Sequence, residues 1–123
     1  MRDENILVIE DNELNMKLVR ELLQIGGYNI FEATDAETGL NMIREHHPDL
    51  ILMDIQLPGM DGLCATKLIK KDPSLKNIPI IALTAYAMKG DKEKALLAGC
   101  IGYISKPINT REFFETVAKF TRH

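Results

Sequence analysis

The sequence predicts an α/β fold: a doubly wound parallel sheet in which five strands alternate with five helices. Three observations carry that prediction. Short apolar runs such as Leu50-Ile51-Leu52-Met53 do not alternate with polar residues, the pattern of strands buried on both faces. Longer segments between them repeat apolar residues three or four apart, as one face of a helix requires. Gly, Pro, Asn and Asp gather at the junctions, so the connections are short. Right-handed crossovers then make the strands parallel and cover both faces of the sheet with helices.

The first strand is Ile6 to Ile9, ending in Glu10-Asp11. Asn12 can cap the helix that follows. Leu14, Leu18, Leu22 and Ile25 mark its expected buried face, and Gly26-Gly27 stops it. Tyr28 to Ala33 is a shorter, more polar strand suited to an edge. Asp35 caps a second helix in which Ala36, Leu40 and Ile43 share a face, ending before Pro48. The third strand runs from Leu50 into Asp54, and Leu57-Pro58-Gly59 can continue neither strand nor helix. At the strand end the Asp54 carboxylate is expected half out of the core. Asp61 or Gly62 opens a third helix with Leu68 and Ile69 inward, closed by Asp72-Pro73. Ile78 to Leu83 is the fourth strand and ends at Thr84. Ala87 to Ala98 is a weaker helix, with Gly90, many charges and few large apolar residues; Gly99 terminates it. Ile101 to Ile104 is the last strand, followed by Ser105-Lys106-Pro107. Asn109 caps a final helix, to residue 121, whose stripe is Phe113, Val117 and Phe120. With the second strand at an edge, the favoured order is 2-1-3-4-5, the flavodoxin-like (βα)5 arrangement.

A chain of 123 residues is expected to form one domain, 1–123, with a workable core and no effector domain. Its formal net charge of −3 argues against nucleic acid as a direct partner, because phosphate binding wants a basic surface. No run is long and apolar enough to span a bilayer, and MRDENILVIE has no signal-peptide apolar region, so the expected location is the cytoplasm. Cys64 and Cys100 lack metal-ligand spacing and read as two reduced thiols. His46 and His47 point in different directions on a helix end, which suits a solvated terminus better than a metal site.

The polar residues at the strand ends then fall into line. Glu10 and Asp11 end strand one, Asp54 ends strand three, Thr84 ends strand four and Lys106 follows strand five. In a parallel sheet these ends share one edge, at the crevice where open α/β sheets bind ligands. Taken singly, an acid pair before a helix is an N-terminal dipole complement and a Thr at a strand end is β-propensity. Their coincidence on one edge points to chemistry. Three acids together repel, and one lysine does not balance them, so a hard divalent cation is called for; Mg²⁺ fits best because it takes one or two carboxylates, keeps waters and binds phosphate oxygens. Such a site suits a phosphoryl group, with Asp54 as nucleophile, Lys106 and Mg²⁺ as neutralising charges and the Thr84 hydroxyl as donor.

Four segments carry a resemblance. Ile9-Glu10-Asp11-Asn12, Leu52 to Gly62 (LMDIQLPGMDG), Leu83-Thr84-Ala85 and Tyr103-Ile104-Ser105-Lys106-Pro107 resemble the signature segments of response-regulator receiver domains, the CheY-like superfamily of two-component signal transduction. The match runs the length of the chain, and EDNELNMKL and TAYAMKGD are similar to single-domain receivers of the DivK type and to receivers of hybrid histidine kinases.

The resemblance implies that Asp54 takes phosphate from a phosphohistidine on a sensor histidine kinase or histidine phosphotransfer protein. It implies Asp11 and Asp54 as direct Mg²⁺ ligands, Glu10 acting through water, and the Gln56 backbone carbonyl as a further ligand. Lys106 would pair with Asp54 and later with the phosphate. Thr84 and Tyr103 would turn inward together, and the Lys106–Pro107 bond would be cis. Glu10 stands where an Asp is more usual, one methylene longer in reach. A receiver of this kind is not a classical enzyme; it catalyses its own phosphorylation and dephosphorylation. The face of helix 87–98, the last strand and helix 109–121 is expected to dock a downstream protein. Gln56 and Tyr86, two residues beyond Asp54 and Thr84, flank the path of a hydrolytic water, and their bulk predicts slow loss of phosphate.

The alternatives lose on particular residues. A small phosphatase of haloacid dehalogenase type would carry a second acid two residues after its nucleophile, where this chain has Gln56. A flavin module would need a phosphate-cradling loop after strand one, where Glu10-Asp11-Asn12-Glu13 repels phosphate. A receiver that has lost phosphorylation would lack part of the acid, Thr and Lys set.

Overall fold

A computed structural model of the chain describes residues 4–84 and 89–121. Its elements are β1 (Asn5–Ile9), α1 (Glu13–Ile25), β2 (Asn29–Ala33), α2 (Ala36–His46), β3 (Leu50–Asp54), α3 (Gly62–Lys71), β4 (Ile80–Thr84), α4 (Lys89–Ala98), β5 (Gly102–Ser105) and α5 (Thr110–Thr121). All neighbouring strands pair parallel, in the order β2-β1-β3-β4-β5. This is the flavodoxin-like, doubly wound architecture expected.

The unbroken apolar runs explain why β3 and β4 lie in the interior: every residue of both strands is buried. Their side chains alternate between two cores. Ile51, Met53, Ile80 and Ala82 join residues of α2, α3 and α4 on one face, while Leu50, Leu52, Ile81 and Leu83 join α1 and α5 on the other. The helices start where short polar side chains satisfy their first free N–H groups. Asn12 accepts from the Asn15 N–H at 3.0 Å, Asp35 from Thr38 at 2.7 Å, Asp61 from Cys64 at 2.8 Å and Asn109 from Glu112 at 3.0 Å. Among the described residues, no helix is long and apolar enough to cross a membrane.

Several expectations about facing are corrected. On α1 only Leu22 of the expected stripe is buried; Leu14 is 79% exposed and Ile25 75%, and Met16, Val19 and Leu23 face the sheet instead. The helix carries two apolar stripes that share Leu22, and spacing alone does not tell which one the sheet takes. On α3, Leu68 and Ile69 are sequence neighbours about 100° apart around the axis, and only Ile69 is buried. On α5, Phe120 is only partly buried, and Thr121 fills the inner position with its hydroxyl against that of Tyr28 at 3.1 Å. The fourth strand begins at Ile80, because the Ile78 N–H closes a turn onto the Leu75 carbonyl. The fifth begins at Gly102, leaving Ile101 partly exposed. Both cysteines are free, Cys64 exposed and Cys100 buried. His46 stacks on Phe31 with ring centres 4.5 Å apart, and His47 caps α2 in the left-handed region at φ 46°. Tyr86 and the rest of segment 85–88, including the start expected for the fourth helix at Ala87, lie outside the described residues.

Candidate functional site

The register of the sheet assembles the site. Ile9, the last residue of β1, pairs with Met53, so Glu10 and Asp54 leave adjacent strands side by side. Thr84 ends the next strand and pairs with Ser105, and the Lys106 N–H donates to the Thr84 carbonyl at 2.7 Å. The Lys106–Pro107 peptide is cis.

The acids differ in depth. Asp11 is exposed, whereas Glu10 is fully buried and Asp54 only 4% exposed. Asp54 was expected half out of the core. It is instead enclosed, since β3 is covered on both faces to its last residue. One oxygen from each of Glu10, Asp11 and Asp54 lies within 4.8 Å of the others. Lys106 Nζ reaches both buried acids, 2.6 Å from Glu10 Oε1 and 3.2 Å from Asp54 Oδ2. Lys106 donates to Asp54 Oδ2, and Glu10 Oε1 lies nearer still to its ammonium.

The backbone helps. The Asn12 N–H donates to Glu10 Oε2 at 3.2 Å, and the Gln56 N–H donates to Asp54 Oδ1 at 2.9 Å. These contacts escape sequence reading, which sees Asn12 only as a helix cap. Thr84 is buried at the end of β4, Gln56 is exposed, and Tyr103 stands 37% exposed on β5.

Burial pushes the Glu10 carboxyl up to about 7, helped by its hydrogen-bonding contact with Asp54 and opposed by Lys106 and the Asn12 N–H. Two buried carboxylates and one ammonium thus favour holding a proton. Glu10 Oε1 also has no hydrogen-bond partner among the described residues, its contact with Lys106 being poorly angled. A surplus of buried oxygen charge with an unsatisfied oxygen fits a hard divalent cation.

This gives a pH prediction for the metal-free protein. A proton held more tightly in the folded state than at the ordinary value of 4.5 stabilises the fold at low pH. That contribution fades as pH rises from 4.5 to about 7. The expected loss is on the order of 3 kcal/mol. Thermal melts in chelator should fall across this window, and Glu10→Gln should flatten the fall. An unchanged pH slope in the variant would remove Glu10 as its source.

Comparison with known proteins agrees with the geometry. The chain belongs to the response regulator receiver domain family, which it matches over residues 6–118, and is a receiver domain of two-component signalling. Its relatives include the polar-differentiation response regulator DivK of Brucella ovis, 51% identical over 116 residues that span 94% of each chain. Among solved structures it is similar to the receiver domain of a sensor histidine kinase from Pseudomonas aeruginosa with a magnesium ion in its active-site cleft. That match has TM-score 0.90 and 33% identity and covers 98% of each chain. It is also similar to the co-crystal structure of the Saccharomyces cerevisiae histidine phosphotransfer protein Ypd1 with the receiver domain of its downstream response regulator Ssk1. Here the TM-score is 0.87 and the identity 31%, over 97% of this chain and 89% of that one. With the family established, the phosphatase alternative is set aside.

Proposed function

We propose that Asp54 is the phospho-acceptor of this receiver. The observation that carries the reading is the convergence of Glu10, Asp11, Asp54 and Lys106 on one sheet edge from three separate stretches of chain. An Asp54 carboxylate oxygen attacks phosphorus as the nitrogen–phosphorus bond of a donor phosphohistidine breaks; the imidazole leaves with the electron pair, and an acyl phosphate remains on Asp54. Lys106 neutralises charge on the transferring oxygens, and the Gln56 N–H orients the nucleophile. Glu10, Asp11 and Asp54, with the Gln56 carbonyl, would hold Mg²⁺, which when bound supplies further charge neutralisation for the phosphoryl oxygens. The Thr84 hydroxyl then turns to the phosphate and Tyr103 turns inward. Gln56 flanks the hydrolytic water and slows its attack. The face of α4, β5 and α5 carries the signal to a downstream protein. The domain works in the cytoplasm.

The test is incubation with Mg²⁺ and acetyl phosphate, read by mass. The intact protein gains one phosphoryl group and Asp54→Ala gains none. A gain in Asp54→Ala, or no gain in the intact protein with any phosphodonor, would overturn the reading.

The exposed stripe on α1 bears on the donor. Leu14 and Leu18 lie just beyond Asp11 and are 79% and 37% exposed. An apolar patch beside a reaction site suits a docking partner, and a donor protein held there would present its phosphohistidine to Asp54. Leu14→Asp should slow phosphotransfer from a cognate kinase or phosphotransfer protein at least tenfold, the scale of one lost interface anchor. It should leave labelling by acetyl phosphate within about twofold, since a surface change leaves the site intact. Equal losses with both donors would argue against docking at α1.

A further inference from the structure

Tyr103 stands partly exposed on β5, and the ammonium of Lys92 lies over its ring, 4.4 Å from the ring centre. Lys92 belongs to the first turn of α4 and has no ion-pair partner among the described residues. We propose that Lys92 is a positioning residue that holds Tyr103 in its outward rotamer and ties the ring to the placement of α4. This deepens the switch reading above and rests on it.

The physical case has two parts. An aromatic face carries negative quadrupole charge and attracts a cation placed over it. For a ring already in contact with water, that contact favours the outward state. The second part is mechanical. Among the described side chains of α4 only Ala95 and Ala98 are buried, and two methyl groups give the helix a shallow footing. A displacement of α4 carries Lys92 off the ring, so helix movement and release of Tyr103 become one event. Residues 85–88 join Thr84 to this helix. A pull on Thr84 that displaces α4 therefore reaches Tyr103 through Lys92. By linkage, a contact made only in the outward state also opposes the phosphorylated state.

Losing one exposed cation–π contact should change the outward-to-inward ratio roughly two- to fivefold. The experiment follows the Tyr103 ring resonance by NMR, with and without beryllofluoride and Mg²⁺, alongside the rate of labelling by acetyl phosphate. In Lys92→Met without beryllofluoride, the resonance should move part of the way toward its beryllofluoride-bound position, and labelling should speed roughly two- to fivefold. Lys92→Gln should behave alike as a second neutral variant, and Lys92→Arg should keep wild-type values because it keeps a cation. Neutral variants with wild-type resonance and rate overturn the proposal while leaving the switch reading intact. A wild-type Tyr103 that does not move when beryllofluoride occupies Asp54 overturns both.

Discussion

Asp54→Asn is expected to abolish phosphoryl uptake while costing the metal-free protein little or no stability, whereas Lys106→Met should be strongly destabilising. The asymmetry follows from a count of charges. Two buried carboxylates, Glu10 and Asp54, share one ammonium, and the exposed Asp11 adds a third negative charge close by. Neutralising Asp54 leaves Lys106 paired with Glu10 at 2.6 Å. It also removes the contact with Asp54 that helps hold the Glu10 carboxyl near 7, so Glu10 ionises more readily beside the lysine. Against this stands one lost hydrogen bond, from Lys106 to Asp54 at 3.2 Å. The two effects offset. Removing Lys106 leaves both carboxylates buried with no cation, and breaking a buried pair in this way costs about 3–5 kcal/mol. Melts in chelator at about pH 8, where Glu10 is largely ionised, should rank Lys106→Met far below wild type and Asp54→Asn level with it or above. The reverse ranking would show that the site is not overcharged with acid, and the case for a divalent cation would fall with it.

The parts of this protein legible in the sequence are those where a residue type has few places to go. Unbroken runs such as Leu50 to Met53 admit little besides a strand covered on both faces, and Asn12, Asp35 and Asn109 read as caps because short polar side chains satisfy free helix N–H groups. Parallel strands then bring Glu10, Asp54, Thr84 and Lys106 to one edge whatever their separation in sequence. What stayed illegible is phase and depth. Leu14 and Ile25 fit a helical stripe as well as Met16 and Val19 do, and only the docked sheet chooses. A strand end shows where a carboxylate leaves the sheet, not how deeply it is enclosed, so Asp54 was expected nearer the surface than it lies. That Lys106 reaches Glu10 as well as Asp54 is set by side-chain depth, and the Lys92–Tyr103 contact joins side chains whose helix and strand have no pairing pattern to announce it.

Gly62→Ala should disturb the site strongly. Gly62 opens α3 beside the loop that leaves β3, and its N–H donates to the Ile55 carbonyl at 3.2 Å. A Cβ built there would lie 2.2 Å from the Asp54 carbonyl oxygen and 2.7 Å from the Ile55 Cα. Both obstacles are backbone, so no side-chain rotation relieves them; either α3 backs away or the chain at Asp54 shifts. Overpacking of this kind costs roughly 1–3 kcal/mol, and a clash against backbone belongs at or beyond the upper end. If the chain at Asp54 moves, its carboxylate leaves the Gln56 N–H at 2.9 Å and Lys106 at 3.2 Å, and labelling by acetyl phosphate should fall at least tenfold in the fraction still folded. Gly90→Ala is the control. A Cβ at Gly90, in the first turn of α4, meets nothing within 4 Å, and replacing a helical glycine should stabilise by about 0.5–1 kcal/mol. Comparing the two variants by melting and by labelling separates crowding at the site from the general effect of losing a glycine. Should Gly62→Ala melt and label like wild type, the close approach of α3 to Asp54 would not be what holds the nucleophile in place.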